Sequence, residues 1–315
     1  MTRAVLIAIL AGLASGVFHL AILAGTLGAL IFGYLTALPL FAAGLALGWP
    51  AAAIGGLAGL AVVVPVAGLP AGLWYAAIGP LPVTFLVRRA LLSRETPRGT
   101  AWYPSGYLLS WMAAWASFVL FAIALWQGAG EDGLLPLIER RVGAALSQWD
   151  GLFGPQNAAE DAAKAIARIV PMGVGLSWMV MTAINMMLAQ GVLGRFGKAI
   201  RPPQPFVEFE LPRPLMALFA GGTALSLFPD PTSMIGLAVA GLAALPYAIA
   251  GIATVHVFAN RFGPRRRLAL GIFYVGLIFA GWPILALLGA LGAIDQWFGL
   301  RARLGAANLP TRKEE

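Results

Sequence analysis

The sequence predicts an all-α fold: a polytopic membrane helix bundle of about nine transmembrane helices, eight if one is re-entrant, with no β-sheet. Three observations carry this reading. The 315 residues are 60% hydrophobic and only 11% charged, against roughly 25% charged in an average soluble domain. No charged residue falls between Ala4 and Val87. The 39 Gly and 22 Pro are spread inside apolar runs, where membrane helices tolerate them better than soluble ones do. The absence of cysteine excludes a disulfide scaffold, a thiolate metal site and a thiol nucleophile. Residues 1–315 read as a single membrane domain.

A span needs about 20 apolar residues. The stretch 4–87 is therefore a Gly-rich four-span part, divided by Gly25-Thr26, Gly48-Trp49-Pro50 and Leu69-Pro70 into spans 4–23, 27–47, 51–69 and 73–87. Span one also looks like a signal peptide, with Ala11-Gly12-Leu13-Ala14-Ser15 as a cleavage region. The apolar run continues beyond it with no polar mature start, so it is read as a retained helix. Arg88, Arg89, Arg94 and Arg98 form the first basic loop, with Pro97 and Gly99 as breakers. Trp102 and Tyr103 follow, at the level of an interfacial aromatic belt.

Span five covers 107–126. The acidic segment 128–168 comes next, with an amphipathic stretch over 134–149 and a second short helix starting at Asn157. Span six is 169–193, followed by basic residues Arg195, Lys198, Arg201 and Arg213. A three-span part, 214–291, follows: spans 214–228, one ending near Phe258, and 268–291, with Arg261 and Arg265 to Arg267 between the last two. The basic tail 295–315 carries Arg301, Arg303, Arg312 and Lys313. The net charge of +8 would suggest a nucleic-acid partner in a soluble protein. Here the basic residues cluster between apolar runs, which is the positive-inside pattern. No nucleic acid is implied, and the lipid bilayer is the partner. The basic loops after spans four, six and eight agree on a cytoplasmic N-terminus and an acidic segment outside.

What the sequence lacks narrows the chemistry. No Asp or Glu falls within the nine spans, although ion-coupled carriers usually hold intramembrane carboxylates. Gly194-Arg195-Phe196-Gly197-Lys198-Ala199 is the nearest approach to a phosphate loop, with the wrong spacing and no hydroxyl. No HExxH or GxSxG occurs, and there are two histidines. The reading is a non-enzyme with no metal and no cofactor.

The candidate ligand-binding residues are His19 near the outer end of span one, Trp178 and Asn185 in span six, and Tyr247 and His256 in span eight. Polar groups inside a membrane are functional candidates by default. Each also has a plainer reading, as a backbone-bonded histidine, an interhelical hydrogen bond or a packed ring. Ala4, Ala8, Gly12 and Gly16 form a small-residue stripe on span one. Such stripes let helices approach closely, either within the chain or against a partner helix. Further pairs four apart are Gly44 and Gly48, Gly55 and Gly59, and Gly68 and Gly72.

Two short stretches carry a family resemblance. One is Phe206-x-Glu208-x-x-Leu211-Pro212, in which alternation places Glu208 and Glu210 on one side and the aromatics on the other. The other is Gly281-Trp282-Pro283 followed by Leu291-Gly292-x-x-Asp295-x-Trp297-Phe298 and Arg301. With the span pattern, Asn185 and His256, the chain resembles the bacterial YybS-like membrane proteins of the DUF2232 family. The resemblance implies an inner-membrane protein whose N-terminal half is distantly similar to the S components of energy-coupling-factor vitamin transporters. Those bind a small-molecule solute and borrow ATP hydrolysis from an ATPase and a coupling membrane subunit. They have about six spans, fewer than the nine read here. The expected function is a solute-binding transport subunit lacking its own energy source. The alternative is a non-transporting membrane scaffold or partner-docking protein.

Overall fold

A computed structural model describes residues 2–97, 99–128, 133–147, 156–204 and 209–306. The chain divides into two compact units. The first comprises Met1–Val119 and Ser177–Gln204, the second Leu120–Leu176 and Pro205–Glu315.

In the first unit, α1 (Arg3–Ala21) ends in a short 3-10 turn. Gly25 then takes a left-handed φ of 63°. Thr26 opens α2 (Leu27–Tyr34) by accepting the Ala29 N–H at 3.2 Å. α3 (Leu38–Leu47) follows after a break at residues 35–37. Next, α4 (Trp49–Ile78) is bent back on itself at Gly68, whose φ of 85° suits glycine alone. Beyond that point Gly72 lies against Val64, Tyr75 against Gly59, and Pro80 of α5 (Pro80–Ala90) against Gly56. The halves are thus antiparallel, which gives predicted spans three and four as a helical hairpin.

The glycine stripe of α1 faces α4 in parallel, Gly12 on Gly55 and Gly16 on Gly59. A Cβ on Gly12 would overlap the Gly55 carbonyl, and one on Gly16 would sit 2.9 Å from the Gly59 oxygen. Ala8, Gly12 and Gly16 are buried. Ala4 is exposed, so the buried stripe begins one turn later than the sequence spacing suggests. The close approach of two backbones is what holds α1, because Leu6, Leu10 and Val17 on its other side face outward.

The expectation of no β-sheet is corrected by a small antiparallel hairpin. Strand β1 (Ser93–Thr96) pairs with β2 (Gly99–Trp102) in the register Ser93 to Trp102 and Thr96 to Gly99. Pro97 falls in the two-residue connection between the strands, the usual hairpin length, and Gly99 opens β2. Gly99 has φ 109°.

α6 (Ser105–Gln127) and α8 (Gln156–Arg195) each contribute to both units, residues 105–119 and 177–195 to the first. The predicted short helix at Asn157 is the first turn of α8, although the Asn157 side chain lies outside the described residues, as does Trp149. In the second unit, Leu134 and Leu135 of α7 (Leu134–Leu146) are buried with Leu120, Ala167, Met234 and Ala238. α9 (Pro214–Leu225) and α10 (Thr232–Ala259) are antiparallel, Gly222 lying on Ala240 and Gly236 on Ser226.

The predicted ninth span, 268–291, is divided between two helices. Gly281 (φ 60°) separates α11 (Arg266–Ala280) from α12 (Trp282–Phe298). α12 runs antiparallel to α10, with Gly251 against the Leu288 carbonyl and Gly292 against that of Tyr247. That register starts α12 level with the last turn of α10. α11 therefore joins two ends at one level and lies across them, so it does not span. α13 (Leu300–Ala306) closes the described chain. Among the described residues, six helical stretches are long and apolar enough to cross a membrane, among them the doubled-back Trp49–Ala90, while Pro214–Leu225 and Pro283–Phe298 are shorter.

Gly12→Ala should lower the thermal stability of the purified chain by the equivalent of about 1–3 kcal/mol, the usual cost of overpacking. Gly143→Ala, which meets nothing within 4 Å, should leave it unchanged or raise it. Equal unfolding midpoints for the two variants would show that the α1–α4 contact is loose.

Candidate functional site

Pro39 has no N–H, so Leu35 loses its usual helical donor four residues on. The Leu38 N–H serves the Leu35 carbonyl instead, at 3.0 Å, and α2 stops before α3 begins. This leaves the carbonyls of Tyr34 and Thr36 to be satisfied midway along an apolar stretch, Gly28–Leu47. Side chains from elsewhere in the first unit do so. Asn185 Nδ2 donates to Tyr34 O at 2.7 Å and to Met181 O at 2.9 Å. Ser15 Oγ donates to Thr36 O at 2.7 Å. The serine has one proton and it is thus committed, so the Tyr75 hydroxyl is the donor in its 2.9 Å contact with Ser15 Oγ. Tyr75 is fully buried. The His19 ring lies 5.0 Å from it, half-buried.

Asn185 itself is 2% exposed. Its two partners are both carbonyls, which fixes the amide with nitrogen toward them. Its Oδ1 is buried and accepts no hydrogen bond among the described residues. An acceptor left in this state costs about 1–3 kcal/mol. It is the feature of the break that asks for a donor.

A second break, at Gly79, is built on the same logic. Pro82 removes the donor that Ile78 O would have in a continuous helix. Trp178 Nε1 supplies it at 2.8 Å, and Trp115 Nε1 serves the neighbouring Ala77 O at 2.9 Å. Trp178 is therefore a carbonyl cap, a role that its position alone did not reveal.

In the second unit the two family-like stretches meet. Gln296 Nε2 donates to Leu211 O at 3.1 Å, and the buried Tyr247 donates its hydroxyl to Gln296 Oε1 at 3.0 Å. Phe209 and Leu211 are buried and Glu210 is exposed, as the alternation requires; Phe206 and Glu208 lie outside the described residues. Asp295 is 4% exposed and accepts the Arg301 backbone N–H at 2.8 Å and its Nε at 2.6 Å. Asp295 lies outside the predicted span 268–291: α12, shorter than the helices able to cross a membrane, extends past 291 and carries Asp295 one turn beyond Gly292, against the middle of α10. His256 lies near the end of α10, its Nδ1 3.0 Å from Ile252 O. Only a protonated Nδ1 can bond a carbonyl, so Nδ1 donates to Ile252 O, and Nε2 lies 3.4 Å from the Tyr274 hydroxyl.

Sequence reasoning missed Ser15, Tyr75, Trp115 and Gln296. Pro82 announces a carbonyl in need of a donor at Ile78, which Trp178 serves; no proline marks Ala77 O, which Trp115 serves. Trp178→Phe keeps the ring and removes the donor, so it should cost about 1–3 kcal/mol of stability, the penalty for an unpaired buried carbonyl. A thermal-unfolding midpoint equal to the parent's would mean that Ile78 O is satisfied by other means.

A family model for DUF2232, described as a predicted membrane protein, matches residues 12–296. No curated protein and no solved structure matches the chain. The matched range begins at the glycine that touches Gly55 and ends at the glutamine that bonds Leu211. The chain thus belongs to the DUF2232 family of predicted membrane proteins.

Proposed function

We propose that this protein is a solute-binding transport subunit of a bacterial inner membrane, with a cytoplasmic N-terminus and no energy source of its own. The observation that carries the proposal is Asn185 Oδ1, a buried, oriented and unpartnered acceptor at a broken helix. Transporters place substrate sites where helices unwind near mid-membrane. The first unit has six apolar helical segments: α1, α2 with α3, the two halves of α4 (the second continued by α5), and the described parts of α6 and α8. Six is the number expected of the S components that the N-terminal half resembles. None of these segments holds an Asp or Glu within its apolar stretch, so ion coupling has no carboxylate to use there. Energy would come from an ATPase and a coupling membrane subunit. We propose no catalytic role.

The alternative is a scaffold whose basic loops and tail contact lipids or partners, and an exposed small-residue face on α1 would favour it. Gly12 and Gly16 are already covered by Gly55 and Gly59, which leaves that face without room for another helix.

In liposomes the purified chain should bind a small solute and show no accumulation driven by a pH or sodium gradient. Affinity purification from native membranes should bring down an ATPase. Gradient-driven accumulation that His19→Ala abolishes would overturn the proposal in favour of a self-sufficient carrier.

A further inference from the structure

The first unit has a polar end. Its described residues include seven basic side chains, Arg3, Arg88, Arg89, Arg94, Arg195, Lys198 and Arg201, and one acid, Glu95. Several contacts place them together. α1 and the first half of α4 are parallel, so Arg3 and Trp49 share an end. Arg88 lies over the Trp49 ring, 5.7 Å from its centroid. The buried Arg201 donates to Ala90 O at 3.2 Å, and Ile200 N–H to Leu45 O at 3.2 Å. These bonds fold the segment after α8 onto the ends of α5 and α3.

Arg201 is committed to the backbone, but Arg88 and Arg89 are not. Neither forms an ion pair among the described residues, where the pairs are Arg168–Asp230 and Arg301–Asp295. Glu95 is engaged by the Thr100 hydroxyl at 2.9 and 3.2 Å. Arg89 stands 5.2 Å from the Phe85 centroid and 5.3 Å from that of Trp111. Those two rings meet edge to face, and Trp111 is fixed by its 2.9 Å bond to Tyr103. These ring contacts offer no hydrogen-bond acceptor, so neither guanidinium is committed to a protein anion among the described residues, and a guanidinium's fork of N–H donors suits a phosphate.

We propose that Arg88 and Arg89, framed by Trp49, Phe85 and Trp111, bind the phosphate of an anionic phospholipid. Position favours a lipid over a soluble anion. Both arginines end a membrane-crossing hairpin arm, and Trp49 and Trp111 are 44% and 39% exposed, at the level where aromatic rings border acyl chains. A headgroup bound there keeps its tails in the bilayer. An acidic peptide would have to push past that belt to reach Arg89.

The test is native mass spectrometry of the full chain in detergent, titrated with phosphatidylglycerol, phosphatidylcholine, inorganic phosphate or polyglutamate. Phosphatidylglycerol should bind selectively. Arg88→Gln with Arg89→Gln should weaken it about thirtyfold, each arginine near an anionic surface being worth roughly fivefold. R266Q with R267Q, an equal charge loss elsewhere, should not. R88K with R89K preserves charge and folding and should give an intermediate loss, since lysine lacks the planar fork. The proposal is overturned if phosphatidylcholine binds equally, if both glutamine pairs lose binding alike, or if the lysine pair binds as the parent does. Phosphate or polyglutamate competing as strongly as the lipid would overturn the lipid as ligand.

Discussion

Within lipid there is no water to satisfy a backbone carbonyl, so every break in a helix must be repaired by a donor from the protein. This chain breaks its apolar helices at residues 35–37 and at Gly79. The repairs come from far along the sequence, Asn185 to Tyr34 and Trp178 to Ile78. That requirement explains why the first unit is discontinuous. Residues 177–204 join 1–119 because they bring the donors on which the early helices depend. Losing either donor would strand a carbonyl in a medium of low dielectric, so α8 is a structural necessity for carbonyls that precede its donors by 100 and 151 residues.

Close backbone approach is the second consequence. Lipid tails are as apolar as leucine, so helices gain little by burying side chains and gain more from van der Waals contact at short range. Gly12 on Gly55, Gly222 on Ala240, Gly251 on Leu288 and Gly292 on Tyr247 all place one backbone against another. The Tyr75 hydroxyl reaches Ser15 because Gly59 leaves room for the ring. Packing and polar repair are thus coupled: the same small residues that allow the approach also bring donors within reach of carbonyls.

Much of the architecture was legible. The apolar runs, a turn near Leu69-Pro70 and the close packing at Gly12, Gly16, Gly55 and Gly59 follow from residue spacing, whereas Gly48 and Gly68, read as packing glycines, are helix breaks with positive φ. The misses have physical causes. The hairpin 93–102 is too short and polar for a period to show. α11 reads as part of a span because its composition is apolar, and only its connection to α12 reveals that it lies across the end of α10. Asn185 was visible as a polar residue in an apolar run. What made it distinctive, an oxygen without a donor, depends on Tyr34, which is 151 residues away. The capping role of Trp178 was hidden for the same reason, since Ile78 is 100 residues away.

The buried carboxylate of the second unit differs in kind from a coupling group. Coupling needs a carboxylate that can release one cation and take up another. Asp295 holds both the Nε and the backbone N–H of Arg301, and the latter opens α13 just past Gly299. A carboxylate at the start of a helix is further stabilised there by the helix dipole. Freeing it would leave a buried charge without its partner, a cost of about 3–5 kcal/mol. Asp295 therefore fixes how the chain turns after α12, alongside Gln296, which ties α12 to the segment before α9. Asp295 is a fastening, whereas the buried oxygen of Asn185 is uncharged and has no donor among the described residues.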